Sequence, residues 1–414
     1  MADNQTQGRD QDVVTYEKFT GLRNDVTPER FGAGDLAVAD NVDLDKSGRL
    51  ARRAGYAAVL PGATHSLWAD DEGETCLFAQ GPQLLQLNTN LTATPRAPLT
   101  ALGAPLSYVR VSERIYYSNG LDLGLLEAGR VRSWGLAVPP LPVPSVTVGT
   151  MPAGLYQFAL TYIRSDGQES GAPLAGTVQV PAGSGLSFAL PVSTDPDVTA
   201  KVLYLSTPGN EVLYQAAWLT AAATSTTYTN DTTELNFPLA TQFLAPPPAG
   251  QLVAFYRGHL FVAAGDVLFY SSAFGYELFD LRAYVPLDGR ITLLAPMMDK
   301  EITDNARSSG LYIGTDQSCG VLVGSDPKEF QYVPKTPYGA LAGALDYVDG
   351  ALLEDGAAGA RQLPMWLTTQ GICVGAADMA IRNLTRTKYT FPATGRGAAL
   401  FMPGPNRFLA TANL

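Results

Sequence analysis

The chain has 414 residues and 46% of them are hydrophobic, which excludes a disordered protein and gives a prior of roughly two to three domains at ~150 residues each. Charged residues make up only 16%, against about 25% in an average protein, while 41 glycines and 29 prolines exceed the usual share, so surface helices are disfavoured. A formal net charge of −11 argues against binding nucleic acid by neutralising its phosphates, although DNA that must slide past without sticking is compatible with it.

In chain order, residues 1–12 (MADNQTQGRDQD) are polar and carry no apolar leader, so they read as a disordered arm without a secretory signal. No window approaches eighteen consecutive apolar residues, so no membrane insertion is expected. From Val13 on, short apolar stretches alternate with turn signals. The best helix candidates, Pro28 to Phe31 and Ala376 to Ile381, amount to a turn or two. Residues 13–138 read as the first part of a β-rich platform. Asp43, Asp45, Ser47 and Gly48 imitate the front of a calcium loop, but Ala54 stands where the bidentate Glu belongs, and a Ser-Gly hairpin turn accounts for the same residues. The charged run Asp70, Asp71, Glu72 and Glu74 suits a solvated hairpin tip; a glycosidase carboxylate pair stays open, because such pairs need only meet in space.

Two proline clusters follow, VPPLPVP at 138–144 and APPP at 245–248, expected to act as stiff spacers. The segment 145–244 between them is rich in Thr, Ser, Ala and Val. Tyr156, Phe158, Leu160 and Tyr162 alternate with period 2, which marks a half-buried strand, and Lys201 to Tyr214 reads as a hairpin turning at Pro208-Gly209-Asn210. About seven short strands in this space fit an immunoglobulin- or fibronectin-like β-sandwich inserted in the chain. Residues 249–414 continue the platform.

With the insert removed, the remainder repeats. Strand cores followed by turns recur at Phe78, Tyr116, Phe269, Tyr312, Leu367 and Phe408, in steps of 38, 153, 43, 55 and 41 residues. Taking out the 110 residues from Pro139 to Pro248 reduces the long step to 43. A period near 40 with several strands per unit predicts an all-β, β-propeller-like platform of five to six blades. The chain ends soon after the sixth match, so Arg49 to Leu60 is expected to supply a strand that closes the ring and protects an open edge.

The sequence points to no catalytic, cofactor-binding or metal-binding residues. His65 and His259 stand apart beside strands, and no G-x-S-x-G elbow, Walker loop or strand-linked G-x-G-x-x-G occurs. Cys76, Cys319 and Cys373 have no C-x-x-C spacing, which speaks against a disulfide framework or a zinc site. Tyr116, Tyr117, Phe269, Tyr270 and Tyr276 suit either blade packing or a sugar groove.

The stretch GLRNDVTPERFGAGDLAVADNVDLDKSGRLARRAGY at 21–56 resembles the start of bacteriophage tail proteins of the nozzle or hub type. Asn41, Val42, Asp43, Gly48, Arg49, Arg52, Arg53, Gly55 and Tyr56 carry the likeness, with Ala54 where Pro is commoner. YSSAFGYELFD at 270–280, GLYIGTDQSCGVLVGSDPKEF at 310–330 and TTQGICVG at 368–375 resemble that family's later segments. The resemblance implies a structural, non-enzymatic virion protein of a short-tailed phage, made in the host bacterial cytoplasm and needing no cofactor. It would form a homohexameric ring below the portal and adaptor, pass DNA without binding it, and carry fibres or spikes. A host-surface glycan-binding adhesin is the alternative, and a glycan hydrolase on a propeller scaffold the third, since one fold serves all three.

Overall fold

The computed structural model describes residues 16–70, 73–233, 235–297, 310–353, 362–390 and 395–412. The expected arm at 1–12, and Asp71 and Glu72 of the acidic run, lie outside the described residues. The chain is all-β: apart from three single 3-10 turns, one of them Pro28–Arg30, every regular element among the described residues is a strand. The piece near Ala376 to Ile381 is a turn followed by the short strand Ile381–Asn383.

Five antiparallel four-stranded meanders carry most of the chain. The first comprises Thr64–Ala69, Cys76–Gln80, Gln83–Leu87 and Ala93–Pro98, and the second Ser107–Val111, Arg114–Ser118, Leu123–Glu127 and Arg130–Arg132. The third comprises Leu252–Tyr256, His259–Ala264, Val267–Ser272 and Gly275–Pro286. The fourth runs through Ile291–Met297, Gly310–Thr315, Cys319–Val323 and Gln331–Thr336, and the fifth through Ala340–Asp349, Gln362–Thr368, Gly371–Gly375 and Ile381–Asn383. A two-stranded hairpin, Gly397–Met402 with Arg407–Ala412, ends the series.

Local chemistry sets these hairpins. Ala128-Gly129 and Arg257-Gly258 form two-residue connections in which both residues have positive φ, the geometry whose twist matches the flanking strands. Holding Ala128 or Arg257 there costs on the order of 1–2 kcal/mol, offset by the ladders the turns align. Successive meanders then share apolar cores. Leu77 and Leu84 meet Tyr108 and Ile115; Tyr116 and Leu125 meet Val253 and Leu260; Phe261 and Leu268 meet Leu311 and Ile313; Tyr312 and Val321 meet Trp366 and Val374. First strands adjoin across these boundaries: the Val253 amide donates to Ser107 Oγ at 3.0 Å, and Thr292 Oγ1 donates to the Ala340 carbonyl at 2.9 Å.

The repeat expected from the sequence is displaced at one point. Phe78, Tyr116, Tyr312 and Leu367 all lie in the second strand of their meander, whereas Phe269 lies in the third. Phe261, fully buried, occupies the equivalent second-strand place. Two adjacent apolar strands of similar composition, HLFVAA and VLFYSS, made the choice ambiguous from residues alone.

Residues 143–238 form two sheets, one of three strands (Val143–Met151, Ser184–Ala189, Ser225–Tyr228) and one of five. The five are Gly176–Val180, Gly154–Arg164, Val198–Leu205, Tyr214–Thr220 and Asn236–Pro238. Met151, Leu186 and Phe188 of the first meet Tyr156, Phe158 and Leu203 of the second in one core. Period-2 exposure along Gly154–Arg164 holds only at its start, because from Phe158 onward every residue is buried. The far face there is covered by Ala172 and Leu213, which pack on Ala159 and Val202. The hairpin turning at Pro208 to Asn210 pairs Leu205 with Tyr214.

The proline clusters are not free spacers. Gly135 has φ 82°, and a side chain there would press into Pro246, Pro247 and the Glu277 carbonyl, all within 3.0 Å of the Cβ position. A Cβ on Gly171 would sit 1.8 Å from the Leu244 carbonyl oxygen. The second cluster therefore packs on Gly135, which precedes the first, and on the third meander, where the Ala245 amide donates to the Phe279 carbonyl at 2.9 Å.

The N-terminal stretch differs from expectation. Leu50–Arg52 pairs with Val42–Leu44, and residues 53–63 form no strand, so Arg49 to Leu60 does not complete the last sheet. This N-terminal segment, a largely exposed arm over residues 16–63, is held to the chain's far end by scattered hydrogen bonds and an ion pair instead. The Asn24 amide donates to the Lys388 carbonyl, the Asn24 side chain exchanges hydrogen bonds with the Thr390 backbone, and Arg407 pairs with Asp43 at 2.6 Å.

Candidate functional site: the charged junction and the exposed arm

Where the insert meets the second and third meanders, residues far apart in sequence converge. Arg114 donates to Glu277 Oε1, Glu127 Oε1 and Asp166 Oδ2, each at 2.9 Å. Arg164, only 1% exposed, donates to Glu277 Oε2 at 2.5 Å, to Asp166 at 2.9 and 3.0 Å, and to the Ser133 carbonyl at 3.1 Å. Arg130 pairs with Asp197 of the insert, and Arg132 reaches Glu127 at 3.5 Å. Burial pushes the Glu277 carboxyl up against the pull of the two guanidiniums. Burial also opposes ionisation of Asp166, yet its hydrogen bonds from Arg164 and the Gln168 amide outweigh this and hold it at about 2. These ion pairs tie the insert to the second and third meanders.

Asp166 gives the junction an acid dependence. Its folded value lies below the unfolded value of about 3.9, so its contribution is present above pH ~4 and disappears as pH falls towards 2. Acid titration of unfolding free energy is expected to show a loss on the order of 1–2 kcal/mol over that window, absent in Asp166→Asn. An unchanged slope in that variant would contradict the assignment.

The candidates of the sequence fall as follows. His65 lies in Thr64–Ala69 with Nδ1 2.9 Å from Ser66 Oγ, and burial lowers its pKa. His259 opens His259–Ala264, buried, with Nδ1 2.7 Å from the Ser271 carbonyl. Neither faces a nucleophile–acid pair in these contacts. In the calcium-like segment Asp45 Oδ1 accepts from the amides of Ser47 and Arg49 and from Ser47 Oγ, while Asp43 holds Arg53 and Arg407, so these carboxylates serve a hairpin and the arm. Asp70 is buried, not solvated: it accepts from the amides of Glu74 and Thr75 and pairs with Arg110 at 2.7 Å. Tyr116 and Tyr117 are buried, and Tyr276 packs edge-on against Tyr116 and Phe255, which makes the aromatic set packing residues. Cys319 and Cys373 lie in one core with thiols pushed up by burial to about 12 and about 11, which keeps both as thiols near neutral pH. Among the described residues no group of three or more His, Cys, Asp or Glu is arranged to hold a metal, and no helix is long and apolar enough to cross a membrane.

Two surfaces that composition did not reveal complete the picture. An apolar notch of about 280 Å³ opens between insert and platform, lined by Val138, Leu174, Phe243 and Leu281, with Arg282 stacked 5.1 Å over Phe243 and paired to Asp280. The arm is the other: residues 51–59 are all exposed, with Tyr56 at 98%.

No family model matches the chain, and no curated protein does. Among solved structures, the extracellular domain of the BT4673 hybrid two-component system of B. thetaiotaomicron matches with TM-score 0.29 and 10% identity over 80% of this chain and 34% of its own. The chain thus spans about a third of that domain. BBS1N in complex with ARL6DN gives TM-score 0.33 and 11% identity over 86% of this chain and 96% of its own. PorZ of the Porphyromonas gingivalis type-IX secretion system gives TM-score 0.22 and 13% identity over 88% and 52%. Likeness at this level assigns the chain to no family.

Proposed function

We propose that this chain is a structural virion protein, a nozzle or hub of a short phage tail, which assembles with copies of itself into a ring of about six. In this reading the five meanders and the terminal hairpin are blades of a β-propeller-like platform, and 143–238 is an immunoglobulin- or fibronectin-like sandwich. Portal and adaptor sit on one side of the ring, fibres or spikes attach through the insert, and DNA passes through. A wall built from chains of net −11 repels DNA and keeps it moving. The observation that carries the reading is the arm. A stretch with the tail-protein resemblance is pinned at Asn24 and Asp43, yet presents Val38, Tyr56 and Val59 at 60% exposure or more. Large aromatic and apolar side chains displayed together on residues 56–59 suit contact with a neighbouring chain, which supports the reading. Native mass measurement of the purified chain, alone and with portal and adaptor proteins, tests it: a closed multimer is expected, and a chain monomeric in both conditions would overturn it.

One observation favours the adhesin as second reading. Trp218 and Phe237, 60% and 74% exposed, stand on neighbouring strands of the insert, and exposed aromatic faces stack on sugars. Selective glycan-array binding lost in Trp218→Ala would promote it.

A further inference from the structure

The terminal unit has two strands among the described residues, where each of the five meanders has four. Its strand Arg407–Ala412 pairs there with Gly397–Met402 alone. One face, with Phe408, Ala410 and Ala412, lies on Leu341, Ala344 and Leu367. The other carries Leu400, Met402 and Leu409, exposed by 55%, 38% and 39%, with Leu400 directly opposite Leu409. From Phe408 to Ala412 there is no charge and no proline, the devices by which sheets blunt an edge. An edge of this kind takes up an extended segment through main-chain hydrogen bonds.

The same chain carries a matching donor. Residues 53–63 form no strand, and a Cβ on Gly55 would find nothing within 4 Å. In an extended strand Tyr56, Ala58 and Leu60 share one face and Ala57 and Val59 the other. Arg53 and Arg407 share Asp43, so the donor leaves from one end of the open edge and still does not pair with it in its own chain. Two unlike unpaired surfaces on one chain can meet head to tail between copies, and a contact of that kind repeats into a ring when its rotation closes.

We propose that residues 54–60 of one copy add as a further strand to Arg407–Ala412 of the next. The proposal rests on the ring reading and names its interface. The test uses the full chain in a Cys76→Ser background carrying Tyr56→Cys and Leu409→Cys, oxidised and run without reductant. A ladder of covalently linked chains is expected, collapsed by reductant, with each single variant giving nothing beyond a pair. A disulfide confined to the monomer shows pairing within one chain and overturns the proposal. Multimers of native mass without cross-links overturn it too and leave the ring reading standing, whereas a wild-type chain that stays monomeric removes both.

Discussion

Glu277→Ala is expected to destabilise the protein by about 3–5 kcal/mol, the cost of removing one partner from a buried ion pair. Arg164 and Glu277 are each 1% exposed and meet at 2.5 Å, so truncating the carboxylate leaves a buried guanidinium with Asp166 as its remaining counter-charge. Asp166, within the insert, and the Ser133 carbonyl, just after the second meander, remain to it, so only the tie to the third meander goes. Chemical denaturation should show the loss as a lower midpoint, because Arg114–Asp166 and Arg130–Asp197 still tie the insert to the second meander. Because ionising Glu277 is itself opposed by burial, the double replacement Arg164→Met with Glu277→Met should recover most of the loss. A single-variant loss below about 1 kcal/mol would contradict the clamp.

Trp134→Ala is expected to cost about 3–5 kcal/mol as well, by a different route. Trp134 is 1% exposed, packs on Tyr116 at 5.2 Å and on Phe279 at 6.2 Å, and its Nε1 donates to the Tyr276 carbonyl at 2.9 Å. Truncation opens a cavity between the second and third meanders and leaves that carbonyl unpaired. Trp134→Phe fills most of the space without the donor, so it should recover more than half of the loss. Equal losses in both variants would mean that the hydrogen bond, not the packing, dominates.

Sequence reasoning reached the strand cores because their signal is local. Leu252–Tyr256, His259–Ala264 and Val267–Ser272 follow one another as apolar runs broken by Gly, and the turn at Pro208 to Asn210 announces its hairpin. It misplaced Phe269 by one strand because apolar content does not number strands within a unit. The junction was not legible at all. Arg114 stands 163 residues from Glu277, and Arg164 113 residues from it, so no spacing rule links them. The packed proline linkers escaped for a related reason, since Pro-rich composition describes a stiff chain but not what lies against it. Arg49 to Leu60 carries the composition of a strand, and its pairing depends on a partner that composition cannot name.

Electron microscopy of the purified full-length chain tests the central claim most directly. Class averages are predicted to show closed rings of about six subunits around an open channel, with the insert of each copy projecting from the rim. Single unassociated particles, or open filaments instead of rings, would contradict it.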